Sequence, residues 1–389
     1  MVPASADNVI AALGQSNRIC EVSLLSLVGW ELESVVAAMQ VPFPELTDLR
    51  LTSYETLPLI PVPDSFLGGS APHLRYFELD GIPFLGLPKL LLSSIHLVSL
   101  RIANIPNSGY MSPEAMVALL SVLSSLESLF LGFESPQSRP DSQSTSLPPP
   151  KRSILPALKA VDFIGVTEYL EHLVTHIDTP QLNDLSIIFF NQIDFDCPRL
   201  AQFLNRTPSP KAHEEARFRF VDNTAGVNLR SRTSQLGLYD LWIDVFCREP
   251  DWQLSSMEQV CRFALLPIST VEDLYIEDDH LELVWKDDAI ENNLWLELFL
   301  PFTTVKDLYI SEKFAPGIGA ALRELVGITE VLPSLQNIFV EELVPSRPFQ
   351  ENIGHFVAAR ELSGNPIAIS GWYRESLRAY VDGEQNICD

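Results

Sequence analysis

Apolar residues recur along this chain at the first, fourth and sixth places of a six-residue pattern, with polar or aromatic residues between them. The clearest copies are Leu238-Tyr-Asp-Leu-Trp-Ile243, Val271-Glu-Asp-Leu-Tyr-Ile276, Val305-Lys-Asp-Leu-Tyr-Ile310 and Leu335-Gln-Asn-Ile-Phe-Val340. Looser copies start at Ile19, Leu46, Leu74, Leu97, Leu126, Leu158 and Leu182, so the starts recur every 23–34 residues. One interval of 56, from Leu182 to Leu238, is about two periods, and Glu215-Ala-Arg-Phe-Arg-Phe220 falls inside it as a degenerate copy. Ile367-Ala-Ile369 makes a terminal one. The last four places of each copy alternate inward and outward, as a short half-buried strand does.

Between these strands the pattern switches to helical spacing. Ser112-Pro-Glu-Ala-Met-Val-Ala-Leu-Leu places a capping Ser, a first-turn Pro and an acid ahead of an apolar face. Helices are expected to open in the same way at Thr167, Ser255 and Asp287, the last with Ile290, Leu294 and Leu298 along one face. Strand and helix alternating at a period near 30 predict stacked units and a parallel sheet, because one unit cannot bury its own apolar faces. A Ser/Pro-rich segment over 134–153 interrupts the array and is expected to be a disordered surface loop.

Phe43-Pro-Glu-Leu-Thr-Asp-Leu-Arg-Leu51, Leu155-Pro-Ala-Leu-Lys-Ala-Val161 and Leu332-Pro-Ser-Leu-Gln-Asn-Ile338 resemble irregular leucine-rich repeats. They are most similar to the repeat region of fungal F-box/leucine-rich-repeat proteins, and the resemblance covers about residues 9–370. The fold expected is therefore α/β: a leucine-rich-repeat-like solenoid with a curved parallel β-sheet and helices on the convex side. It would form a single array of about twelve units over 1–370, followed by a tail at 371–389. The resemblance implies a surface that holds a client for ubiquitin transfer. That family carries an F-box before its repeats; here the first strand begins by Ile19, so a cullin adaptor is expected as a partner only if an F-box lies upstream of Met1.

Charge narrows the class of partner. Among 389 residues, 26 Lys+Arg face 51 Asp+Glu, a net charge of −25. Such a field repels phosphate backbones and anionic lipid, so neither nucleic acid nor membrane is an expected partner. No apolar run is long enough to span a bilayer, and Met1-Val-Pro-Ala-Ser-Ala-Asp-Asn8 lacks the basic and apolar parts of a signal peptide. The five cysteines show no Cys-x-x-Cys spacing, which indicates neither a disulfide framework nor a zinc site. An intracellular protein, cytoplasmic or nuclear, is expected.

Motifs for catalysis are weak. There is no Gly-x-Ser-x-Gly elbow and no phosphate-binding Gly-x-x-x-x-Gly-Lys loop. Gly317-Ile-Gly319 lacks the third glycine of a dinucleotide turn and is expected to ease a tight strand-to-helix turn. Glu168, His172 and His176 share a helical spacing, but Leu170, Leu173, Val174 and Ile177 form the apolar face, which places the histidines toward solvent. No cofactor, metal or catalytic residue is assigned, and a non-enzymatic protein is expected.

The outward places of the pattern carry the candidate site. In the last third, place three reads Asp240, Asp273, Asp307 and Asn337, and place five reads Trp242, Tyr275, Tyr309 and Phe339. Strands about 4.8 Å apart turn these into an acidic and an aromatic ladder. Between Asp240 and Leu300 the chain has fifteen acids and three Lys/Arg, so the surface suits a basic or mixed-charge protein client whose Arg or Lys stacks on the rings and pairs with the acids. The same ladders are also explained by cross-strand stabilisation of the sheet alone. A scaffold unconnected with ubiquitin and, more remotely, an α/β enzyme are the competing readings.

Overall fold

The computed structural model describes residues 6–53, 61–136, 152–190, 197–207, 213–221, 223–232, 240–247, 250–262, 268–278, 292–324, 331–341 and 347–372. Of the expected loop over 134–153, residues 137–151 lie outside the described residues, as do residues 373–389 of the expected tail. The chain divides into two compact units, Met1–Phe190 with Cys197–Ser209, and Asn191–Asp196 with Pro210–Asp389.

The first unit contains strands β1 (Glu21–Leu24), β2 (Asp48–Thr52), β3 (Tyr76–Asp80), β4 (Ser99–Ile105), β5 (Ser128–Phe133), β6 (Ser153–Ile154), β7 (Ala160–Gly165), β8 (Ile177–Asp178) and β9 (Asp184–Phe189). Its helices are α1 (Ala6–Leu13), α2 (Gly29–Ala38), α3 (Leu87–Leu91), α4 (Pro113–Leu120), α5 (Thr167–Thr175) and α6 (Pro198–Arg206). Strands β1, β2, β3, β4, β5, β7 and β9 pair in that order, every pair parallel. This is the leucine-rich-repeat-like α/β architecture that the pattern implies. The repeat is also visible in the backbone. The Thr47 carbonyl accepts the N–H groups of Arg75 and Tyr76, the Arg75 carbonyl those of Val98 and Ser99, and the Val98 carbonyl those of Glu127 and Ser128. One carbonyl ahead of each strand thus fixes the register of the next.

Inward residues such as Leu49, Leu51, Phe77, Leu79, Leu129 and Leu131 are at most 1% exposed. Each full side-chain burial of this kind is worth about 1.5–3 kcal/mol. Helix α4 starts as its sequence dictates, with the Ser112 hydroxyl accepting the Ala115 N–H and Pro113 in the first turn. At the strand ends, Gly81 has φ +69°, and a Cβ added there would lie 2.2 Å from the Ser53 carbonyl oxygen. Gly81→Ala is therefore expected to destabilise the protein by about 2 kcal/mol, from left-handed strain and a forced backbone shift. A denaturation midpoint unchanged from wild type would contradict this.

The second unit contains β10 (Glu215–Val221), β11 (Thr224–Arg230), β12 (Leu241–Phe246), β13 (Asp273–Asp278), β14 (Asp307–Ile310), β15 (Asn337–Glu341) and β16 (Ala368–Trp372). Its helices are α7 (Pro250–Arg262), α8 (Asn292–Phe299), α9 (Ala315–Glu324) and α10 (Arg347–Leu362). From β13 to β16 the pairs are parallel and sequential. Leu274, Ile276, Leu308, Ile310, Ile338 and Val340 form the inward rungs, each at most 2% exposed.

Here the order departs from the simple array. β10 and β11 form an antiparallel hairpin, β11 pairs antiparallel with β12, and β10 pairs parallel with β13. The order is β12-β11-β10-β13-β14-β15-β16, so an all-parallel sheet is corrected at β11. The reason lies in Thr224-Ala-Gly-Val-Asn-Leu-Arg230, a second alternating run that follows the degenerate copy within a few residues. Two strands so closely joined return antiparallel, because a parallel return needs a crossover of a dozen residues or more.

Two helix expectations are also revised. α7 begins at Pro250, ahead of Ser255. The expected opening at Asp287 and the face residue Ile290 lie outside the described residues; within α8, Trp295, Leu298 and Phe299 are buried and Leu294 is only half-buried. Gly317 and Gly319 sit inside α9 and not in the turn before it. A Cβ on Gly317 would stand 3.3 Å from Trp295 Nε1, so this glycine admits the indole between α8 and α9.

Candidate interaction surface

In the second unit, register places three outward rows across the sheet. The first runs Glu215, Asp273, Asp307, Asn337, Ala368 across β10 and β13–β16. The second runs Trp242, Asn228, Arg217, Tyr275, Tyr309, Phe339, Ser370. The third begins Asp244, Gly226, Arg219, Glu277. Six expected residues are brought together: Asp273, Asp307 and Asn337 in one ladder, and Tyr275, Tyr309 and Phe339 in the other. Asp240 and Trp242 are not part of these ladders, because the hairpin β10–β11 stands between β12 and β13. This corrects the expected four-rung ladders. Asp240 instead secures the strand connection, accepting the Ser231 N–H at 2.7 Å.

The aromatic ladder is a continuous stack. Tyr275 and Tyr309 have ring centroids 4.2 Å apart at 7°, and Tyr309 and Phe339 are 4.5 Å apart at 10°. The Arg217 guanidinium lies 4.0 Å over the Tyr275 ring. It also donates to Glu215 at 2.5 Å and to Glu277 at 3.0 Å, and Glu277 is 0% exposed. Arg217 thus extends the ring stack as a cation clamped between two acids. Burial, then Tyr309 and Glu215, push the Tyr275 phenol up, so it stays protonated at neutral pH.

The acidic ladder and its neighbour Glu272 find partners within the chain. Arg232 reaches Glu272 and Asp273, both at 3.3 Å, and Lys306 reaches Glu272 at 2.7 Å. The Asn337 amide donates to Asp307 at 2.6 Å. Burial raises the Asp273 carboxyl despite Arg232, and the neighbouring Asp307 adds to the rise. The basic groups expected of a partner are therefore supplied for Asp273 and Tyr275 by the chain's own Arg232 and Arg217.

Two contributors were not assigned from sequence. Arg217 lay within a strand read as degenerate, and the signal was its alternation, Ala216, Phe218 and Phe220 inward against Arg217 and Arg219 outward. Trp372 falls in the expected tail, and the last strand reaches it. Its indole packs edge-on to Tyr309 at 5.5 Å and Tyr275 at 6.0 Å, and its N–H donates to the Ile310 carbonyl at 3.4 Å.

No family model matches the chain, and no curated protein matches it. A solved leucine-rich repeat-containing protein from Legionella pneumophila aligns over 94% of this chain and 96% of its own, at 12% identity and a TM-score of 0.33. A superposition that loose transfers nothing to this protein.

The first unit shows the same construction on its outward face. Arg50, Glu78, Arg101, Phe130 and Asp162 share one row. The Arg101 guanidinium stands 3.7 Å over the Phe130 ring and 3.3 Å from Glu78. Among the described residues, no group of three His, Cys, Asp or Glu side chains is placed to hold a metal ion, and no helix is long and apolar enough to cross a membrane. His172 is not directed to solvent as expected: its side chain is 13% exposed, lies 3.1 Å from Glu114 and stacks on His176. A groove of about 720 Å³ at the strand starts of this unit is lined by Arg75, His73, His96, Glu45 and Glu127.

Proposed function

We propose that this chain is a non-enzymatic protein-interaction module that receives a basic or mixed-charge protein on the outward sheet face of its second unit. The observation that carries this reading is the half-buried stack Tyr275–Tyr309–Phe339, flanked by acids and held on rigid strands. Aromatic anchors with a polar surround are the usual energetic centre of an interface, and a net charge of −25 favours a cationic partner. Hydrogen exchange on the complex with a captured protein tests the reading. Protection is expected over β13–β16; protection confined to the helices would sink it.

The likeness of the repeats to F-box/leucine-rich-repeat proteins gives this surface a narrower role, the client-recognition region of an F-box-type ubiquitin ligase receptor. A scaffold or regulatory repeat protein would use the same face without an adaptor. A pull-down with the chain extended upstream of Met1 separates the two: capture of a cullin adaptor supports the ligase role, and its consistent absence leaves the scaffold.

A further inference from the structure

We propose that the outer face of the Phe339 ring, above Ser370 at the β16 edge, is a recognition slot for an arginine of an extended protein segment that adds alongside β16. The proposal rests on the interaction reading above and names the chemistry of its partner.

The fold itself shows the contact twice. Arg101 stacks on Phe130 of the next strand and pairs with Glu78. Arg217 stacks on Tyr275 of the next strand and pairs with Glu215 and Glu277. In the ladder, both faces of Tyr309 are covered by rings, and those of Tyr275 by Arg217 and Tyr309. Among the described residues, Phe339 makes one ring contact, on its Tyr309 side. Its other face looks toward β16, where the register sets Ser370 beside it. A hydroxymethyl group is too short to stack on that ring, and Ser370 and Ala368 are both exposed. Glu341 stands two residues beyond Phe339, as Glu277 stands two beyond Tyr275.

The strand beneath the slot is also unfinished. Among the described residues β16 is the end strand of its sheet, and an unpaired edge offers N–H and C=O groups to an added chain. Ile369 is 44% exposed, although Ile338, its partner across the ladder, is 0% exposed. A segment alternating arginine with apolar residues would satisfy both faces: apolar side chains over Ile369, a guanidinium across Ser370 onto Phe339. Strand β10, Glu215-Ala-Arg-Phe-Arg-Phe-Val221, has this alternation and already lies beside β13 in that manner. Lysine meets the charge requirement but not the planar stacking, so the slot discriminates between the two cations.

The test uses the full chain and a fluorescein-labelled synthetic peptide with the sequence of residues 215–221, beside a second peptide with both arginines replaced by lysine. Fluorescence anisotropy is expected to show the lysine peptide binding about 10-fold more weakly, and Phe339→Ala reducing arginine-peptide affinity about 10-fold. Ser370→Arg should fill the slot from within, abolish peptide binding and raise Tm by about 2–4 °C. Equal binding of the two peptides, or binding indifferent to Ser370→Arg, would overturn the slot. A dimer of the chain that Ser370→Arg disperses would overturn it too, in favour of a second copy at this edge. If the peptide ignores β16 while a protein partner still protects β13–β15, the slot fails and the interaction reading stands; if no partner protects that face, the interaction reading fails with it.

Discussion

Replacing Arg217 with methionine is expected to destabilise the second unit by about 3–5 kcal/mol, the usual cost of removing one partner from a buried ion pair. The methionine keeps an aliphatic stem over Tyr275 but leaves Glu277, at 0% exposure, without its guanidinium. Loss of the stack on the Tyr275 ring adds a smaller cation–π contribution. The double variant Arg217→Met with Glu277→Gln also removes the carboxylate that faced the guanidinium and is expected to recover most of the loss, because two neutral side chains of similar size replace the pair at little cost. Urea denaturation of the four proteins in the cycle gives the coupling directly. A single-variant loss under about 1 kcal/mol would mean that Glu277 is sustained by other neighbours and that Arg217 is ornamental to the sheet.

Asp244→Asn is expected to stabilise the protein at neutral and alkaline pH, by up to about 3 kcal/mol. The Asp244 carboxyl occupies the space over Gly226, where an added Cβ would meet its Oδ1 at 1.8 Å. Although the residue as a whole is half-exposed, its carboxyl is enclosed, and burial raises its pKa from 3.8 to about 6 against the opposing pull of the Trp242 indole and Arg219. The folded state therefore holds this proton more tightly than the unfolded chain does. The stability it contributes is complete below about pH 4 and is lost as pH rises through 6. The rise of about two pH units corresponds to about 3 kcal/mol. Asparagine is uncharged throughout and retains an oxygen for the indole. Wild type and variant should thus converge in stability near pH 4 and diverge above pH 6. Parallel stability curves from pH 4 to 8 would contradict an enclosed carboxylate at this position.

Both predictions concern residues whose chemistry the sequence displayed and whose neighbours it concealed. Asp244 and Gly226 are 18 residues apart in the chain and directly opposed in β12 and β11. Arg217 and Tyr275 are separated by two strands and a helix, and only the pairing of β10 with β13 joins them. Periodicity names which residues point outward. It does not say which strand lies next to which once a hairpin breaks the sequential order.

The same distinction divides the rest of the protein. Leu274, Ile276, Leu308, Ile310, Ile338 and Val340 were legible as core rungs because burial of apolar side chains is local in sequence terms: place in the repeat fixes the face of the strand. The acidic and aromatic ladders over Asp273–Asp307–Asn337 and Tyr275–Tyr309–Phe339 follow from the same rule where consecutive repeats are consecutive strands. Asp240 and Trp242 obey the repeat equally well, yet the hairpin β10–β11 removes them from the ladders, because strand adjacency is settled by the closure of loops and the pairing of edges. The sequence alone determined a strand–helix repeat, its core and the composition of its outward face. The tertiary structure decided that Arg217 ends the aromatic stack at one side, that Trp372 packs on its rim, and that Ser370 lies beside Phe339 in the register of β16. These are contacts between residues tens of positions apart, and no local pattern encodes them.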